Sequence, residues 1–121
     1  MPHRVLLVED SPAMRSYVAA ALETDYEIVG VESGFQALQA LPNGHYDLVI
    51  SDVHMPDING LELAKFMRSS PTYRKVPLIL ISTEGSDRDV GRGLELGANA
   101  YLPKPFSPAA LRELVKRFVE T

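Results

Sequence analysis

Short apolar runs alternate along the chain with stretches whose apolar residues fall three and four apart. Val5-Leu6-Leu7-Val8 is a continuous run, as expected of a strand covered on both faces. Ser11-Pro12 supplies an N-cap and a first-turn proline. Met14, Tyr17, Val18, Ala21 and Leu22 follow at helical spacing, predicting a helix to about Glu23. Glu27 to Val31 reads as a second strand. Ser33-Gly34 opens a short helix carrying Leu38 and Leu41, stopped by Pro42-Asn43-Gly44. Leu48 to Asp52 is a third strand. Asn59 is the N-cap of a third helix with Leu61, Ala64 and Met67 on one face, ending near Ser69-Ser70-Pro71. Val76 to Ile81 predicts a fourth strand ending in Ser82-Thr83. A fourth helix carries Val90, Leu94 and Gly97 in register, weakened by Gly91 and Gly93. Ala100-Tyr101-Leu102 is a short fifth strand. Ser107-Pro108 repeats the cap and proline before a last helix with Leu111, Leu114, Val115 and Phe118 inward.

Strands and helices thus alternate five times without a long linker. Such alternation implies an α/β fold with a doubly wound parallel sheet, helices on both faces and right-handed crossovers. A chain of 121 residues, 45% hydrophobic, fits one domain spanning 1–121 with a real core. The absence of cysteine excludes disulfides, thiolate metal sites and thiol catalysis, and fits a cytoplasmic location. The opening Met-Pro-His-Arg leads directly into a strand, without the apolar core of a signal peptide. No run approaches the ~20 apolar residues of a membrane span, so no membrane insertion is expected. A net charge of −4 argues against nucleic-acid binding. The charge is lopsided: residues 1–62 hold two basic and ten acidic residues, and residues 63–121 hold ten basic and six acidic.

Parallel strands point their C-terminal ends to one rim, where ligands of α/β folds collect. The first strand delivers Glu9 and Asp10 there, the third Asp52, the fourth Ser82 and Thr83, and the fifth Lys104. Singly, each has an ordinary reading. Asp52 fits a turn cap as well as a nucleophile, the acid pair suits a helix N-terminus, Ser82 suits a loop, and Lys104 a solvated surface. Together they carry chemistry. Three close carboxylates repel unless a cation joins them. A hard divalent ion with oxygen ligands, Mg²⁺, relieves that repulsion and can bridge a phosphoryl oxygen. Asp52 can then act as a carboxylate nucleophile and form an acyl phosphate. Lys104 would pair with the incoming charge and Ser82 would donate a hydrogen bond to it.

The segments Val5-Leu6-Leu7-Val8-Glu9-Asp10-Ser11, Asp52-Val53-His54-Met55-Pro56, Asn59-Gly60, Ser82-Thr83, Gly97-Ala98 and Lys104-Pro105-Phe106 together resemble the response-regulator receiver domain, in its CheY-like single-domain form. The resemblance covers essentially the whole chain. It implies the flavodoxin-like (βα)₅ fold with strand order 2-1-3-4-5. It implies Asp52 as phosphoacceptor, and Glu9, Asp10, Asp52 and the His54 backbone carbonyl as Mg²⁺ ligands. Ser82 becomes the switch hydroxyl, because only its spacing to Lys104 fits the family. Lys104 takes the family's lysine role, and Tyr101 resembles the switch aromatic. His54 and Glu84 match positions that influence loss of the phosphoryl group. The Lys104-Pro105 bond is expected to be cis, which is realistic only before proline.

The function so implied is two-component signalling, in chemotaxis or motility, with no enzymatic activity beyond autocatalytic phosphoryl acceptance and self-dephosphorylation. A histidine kinase would be the donor. A downstream protein would read the face formed by the fourth helix, fifth strand and fifth helix, which carries Arg88, Arg92, Arg112 and Lys116. The chain could be a complete protein, which the opening methionine favours, or a receiver from a larger response regulator or hybrid histidine kinase. Two rivals fit less well. An aspartyl-phosphate phosphatase would want a second acid where His54 stands. A flavin carrier on this fold would want a phosphate-binding loop where Glu9-Asp10 would repel the phosphate.

Overall fold

The computed structural model describes residues 3–83 and 87–119. Its elements run β1 (His3–Val8), α1 (Pro12–Leu22), β2 (Tyr26–Val31), α2 (Gly34–Ala40), β3 (Leu48–Asp52), α3 (Gly60–Ser69), β4 (Leu78–Ser82), α4 (Asp87–Glu95), β5 (Ala100–Pro103) and α5 (Pro108–Val119). The five strands form one sheet in the order β2-β1-β3-β4-β5, every neighbouring pair parallel. The expected flavodoxin-like architecture is therefore found.

Continuous apolar strands follow from burial on both faces. Successive side chains point to opposite sides. Leu6, Val8, Val49, Leu78 and Leu80 join Leu63, Ala64 and Met67 of α3 in one layer. Val5, Leu7, Leu48, Ile50, Ile79 and Ile81 join Val18 and Leu22 of α1 and Leu111 and Val115 of α5 in the other. The caps stand where the sequence places them. Ser11 Oγ accepts from the Met14 N–H at 3.3 Å, and Ser107 Oγ from the Ala110 N–H at 3.1 Å. Asn59 and Glu62 form a reciprocal capping box, at 2.8 and 3.1 Å, that fixes where α3 begins.

Three local expectations shift. β4 begins at Leu78, not Val76, because Pro77 has no N–H to offer a ladder. The second helix stops at Ala40, and Leu41–Asn43 forms a 3₁₀ turn that still buries Leu41. Leu94 is 46% exposed and does not belong to the inner face of α4. The helix packs instead through Gly93, where an added Cβ would stand 3.0 Å from Leu80 Cδ1 and 3.7 Å from Tyr101 Cδ2. That close approach turns Leu94, one residue on, toward solvent. Gly97 ends the helix region with φ +110. The Gly97 N–H donates to the Leu94 carbonyl and the Ala98 N–H to the Gly93 carbonyl, each at 3.1 Å, which is the Schellman pattern.

Gly91 differs from Gly93, since a Cβ there meets nothing within 4 Å. Gly91→Ala is expected to raise stability by about 0.5–1 kcal/mol through helix propensity, read as a higher urea midpoint. Gly93→Ala gains nothing, because its methyl enters the Leu80 contact. An equal gain from both would contradict Gly93 as the packing point.

Candidate functional site

The sheet register sets the site. Val8 lies opposite Val31 and Ser51, Asp52 opposite Ile81, and Ser82 opposite Pro103. The Glu9 N–H still donates to the Val31 carbonyl at 3.0 Å, so Glu9 extends β1 by one residue. Lys104 extends β5 likewise, its N–H donating to the Ser82 carbonyl at 2.8 Å. Each key residue therefore sits on, or one step past, a strand end and inherits the rigidity of the sheet.

Glu9 is fully buried, and Asp52 is 6% exposed. Lys104 Nζ donates to Glu9 Oε1 at 2.9 Å and to Asp52 Oδ2 at 2.7 Å. The other oxygens take backbone donors: Glu9 Oε2 accepts from the Ser11 N–H and Asp52 Oδ1 from the His54 N–H, each at 3.0 Å. Asp10 is exposed and opens the cluster to solvent. One carboxylate oxygen from each of Glu9, Asp10 and Asp52 lies within 4.8 Å of the others. Three hard oxygen donors with one solvent-facing side fit a cation such as Mg²⁺, which keeps several of its waters.

Burial pushes the Glu9 carboxyl from an ordinary 4.5 up to about 7; Ser11 and Lys104 pull it down, while Asp52 and Asp10 push it further up. Burial opposes the Lys104 ammonium, but the hydrogen bonds it donates to Asp52 and Glu9 and their charges outweigh it, and its pKa is raised.

The loop after Asp52 is held from two directions. The Gly60 N–H donates to the Val53 carbonyl at 2.9 Å, and a Cβ on Gly60 would lie 2.6 Å from the Asp52 carbonyl oxygen, so only glycine fits there. Asp57 accepts from the Phe35 N–H at 2.8 Å and the Gly34 N–H at 3.3 Å, tying this loop to the start of α2. The hydrogen bond from the Phe35 N–H does most to hold the Asp57 carboxyl below its usual range.

The model of the response regulator receiver domain matches residues 5–116. The chain belongs to that family. As a receiver domain of two-component signalling it is CheY-like, with relatives in chemotaxis and motility. It is 37% identical over 113 residues to chemotaxis protein CheY1 of Helicobacter pylori, covering 91% of each chain. The structure of chemotaxis protein CheY4 of Vibrio cholerae superposes with a TM-score of 0.92 at 33% identity, over 98% of this chain and 99% of that one. The receiver domain of the sensor histidine kinase PA1611 of Pseudomonas aeruginosa, with magnesium coordinated in its active-site cleft, matches over 100% of both chains with a TM-score of 0.91 and 29% identity. Other curated relatives are longer: this receiver spans 47% of one and 13% of another.

The structure brings Glu9, Asp10, Asp52 and Lys104 of the receiver together. Ser82 is buried at the neighbouring strand end. Tyr101 is half-buried and packs in the layer of α3, beside Gly93 of α4. His54 is exposed, with its N–H turned to Asp52. Arg88, Arg92, Arg112 and Lys116 are exposed. Glu84 lies outside the described residues. The expected cis Lys104-Pro105 bond is present. Reading the sequence missed the Ser11 N–H on Glu9, and Arg15, whose Nη1 donates to the Glu9 carbonyl at 2.8 Å. Neither contact has a motif of its own.

The raised Glu9 pKa has a signed consequence. Without divalent cation, the folded state holds a proton on Glu9 that the unfolded chain releases near 4.5. The stabilisation this proton gives is complete below that pH and is lost as pH rises through about 7. In EDTA, the unfolding free energy should fall across this window, and Glu9→Gln should flatten the fall. An unchanged slope in Glu9→Gln would place the titration elsewhere.

Proposed function

We propose that residues 1–121 form one receiver that accepts a phosphoryl group on Asp52 from a partner histidine kinase. The observation that carries this reading is the Lys104 ammonium, 2.7 Å from Asp52 and 2.9 Å from Glu9, beside three carboxylates within 4.8 Å. Receivers are signalling proteins and not conventional enzymes. Here the chain would supply its own acceptor chemistry. A carboxylate oxygen of Asp52 attacks phosphorus, the donor's bond to phosphorus breaks with its electron pair leaving on the donor, and an acyl phosphate results. Later attack by water returns Asp52 and releases phosphate.

Glu9, Asp10, Asp52 and the His54 carbonyl would hold Mg²⁺, which when bound offsets charge on the phosphoryl oxygens. Glu9 is fixed by Ser11 and Lys104, so its carboxyl oxygens need no rearrangement. Lys104 follows the new negative charge on Asp52, and Ser82 donates its hydroxyl to it. Tyr101 then turns toward the space beside Ser82, and α4 shifts with β5 and α5 to present a changed face to a protein target. His54 and Glu84 border the site and set how readily water reaches the acyl phosphate. The likeness to CheY1 favours a chemotaxis or motility role in the cytoplasm. No helix among the described residues is long and apolar enough to cross a membrane. The longer relatives favour a second reading, a receiver belonging to a larger regulator or hybrid kinase.

Acetyl phosphate with Mg²⁺ should add one phosphoryl mass to the intact chain, and Asp52→Asn should add none. Lys104→Met should slow uptake roughly a hundredfold, as loss of a charge-stabilising donor does. Uptake that persists in Asp52→Asn would refute Asp52 as acceptor.

Metal binding has its own readout. Mg²⁺ at ten times its dissociation constant should add about 1.4 kcal/mol to the unfolding free energy. Asp10→Asn should lose that increment at the same concentration. A wild-type melting curve unmoved by Mg²⁺ would remove the ion from the account.

A further inference from the structure

Tyr17 stands on α1 with 38% of its surface exposed, yet it makes a specific long-range contact. Its hydroxyl donates to the Phe106 backbone carbonyl at 2.6 Å. Its ring meets the Phe106 ring edge-on, centroids 5.8 Å apart and planes at 70°. Phe106 lies two residues past Lys104, with Pro105 between them.

The segment from Lys104 to Phe106 is thus anchored at both ends. On one side the Lys104 N–H donates to the Ser82 carbonyl of β4 at 2.8 Å. On the other, the Phe106 carbonyl is fixed to α1 by Tyr17. Pro105 has a ring-locked φ, so little freedom remains between the anchors. The Lys104 side chain leaves from this clamped segment to reach Glu9 and Asp52.

The same helix also fixes the acidic side. Ser11, the N-cap of α1, donates its N–H to Glu9 Oε2. Tyr17 lies six residues on, about 9 Å along a rigid rod. Helix α1 therefore references the carboxylate loop at its start and the ammonium loop about 1.7 turns later.

We propose that Tyr17 is a positioning residue for phosphoryl acceptance: its hydroxyl holds the β5–α5 loop so that Lys104 Nζ stands where the phosphoryl charge arrives. This rests on Asp52 as the acceptor. Removing the hydroxyl leaves the ring packing and frees the C-terminal anchor of the loop. The Lys104 ammonium then samples a wider volume and neutralises the phosphoryl oxygens less well. The Mg²⁺ ligands are not on that loop, and a looser ammonium competes less for Glu9 and Asp52, so Mg²⁺ affinity does not fall.

The test uses the full chain, Tyr17→Phe, Lys104→Met and the double variant. Three quantities are measured: the rate of phosphoryl uptake from acetyl phosphate, the half-saturating concentration of beryllofluoride, and the Mg²⁺ dissociation constant. Tyr17→Phe should lower the rate and weaken beryllofluoride binding by roughly fivefold, the worth of one net hydrogen bond, with no loss of Mg²⁺ affinity. In the Lys104→Met background, Tyr17→Phe should add no further loss of rate. Wild-type behaviour of Tyr17→Phe overturns the proposal, as does an equal further loss without Lys104, or a parallel loss of Mg²⁺ affinity. A wild-type chain that takes up no phosphoryl group overturns the Asp52 reading and this proposal with it. Uptake by the wild type with no effect of Tyr17→Phe overturns this proposal alone.

Discussion

A single ammonium faces three carboxylates at the carboxyl edge of the sheet, and two of those carboxylates are out of water. Lys104 offsets part of the charge, with Nζ within 3 Å of both Glu9 and Asp52. The remainder is a standing excess of negative charge in a partly dry place. Two remedies are open to it. The cluster can take a proton, which is what the upward shift of Glu9 expresses. Or it can take a hard cation through oxygens already gathered. The excess charge makes the site responsive to protons and to hard cations.

The sheet order explains why these groups meet. From β1 the chain crosses to β2 on one side, then returns past β1 to β3 on the other. Consecutive crossovers therefore leave β1 in opposite directions, and a crevice opens between the ends of β1 and β3. Glu9 and Asp10 line one side of it and Asp52 the other. β4 and β5 continue outward from β3, bringing Ser82 and then Lys104 to the same edge. Lys104 spans from the fifth strand across to the first because its long side chain covers what the backbone cannot.

Much of this is legible in the sequence. Unbroken runs such as Val5–Val8 and Leu48–Ile50 announce strands buried on both faces, and Ser11, Asn59 and Ser107 announce helix starts. Both are local signals, and the parallel topology follows from their alternation. The rim residues were legible for the same reason, since strand direction alone places them. What escaped was set by tertiary packing. Leu94 has the spacing of an inward residue, but α4 rests on Gly93, and only the position of Leu80 and Tyr101 reveals that. Tyr17 reads as one more apolar residue of α1, and its partner lies 89 positions away. The Asp57 link to α2 joins two loops with no shared pattern. The backbone partner in each case, the Phe106 carbonyl or the Gly34 and Phe35 N–H groups, leaves no residue-type signature, so sequence cannot display these contacts.

Helix α4 and the β5–α5 loop contrast in how firmly they are held. The loop is bonded to β4 at one end and α1 at the other, so its backbone is referenced to two rigid elements. Helix α4 meets the sheet through a glycine, which contributes no side chain of its own to bury, and it exposes Leu94. Gly91 adds a helix position with neither packing nor propensity in its favour. The Schellman turn at Gly97 secures the C-terminal end, and Arg68 locks it by donating from Nε to the Gly97 carbonyl at 2.7 Å. Movement of this helix would therefore pivot about its C-terminal end. Tyr101 stands beside Gly93, at the contact such a pivot would alter. In this arrangement the loop that carries Lys104 is tied at both ends, and the helix beside Tyr101 is held chiefly at one.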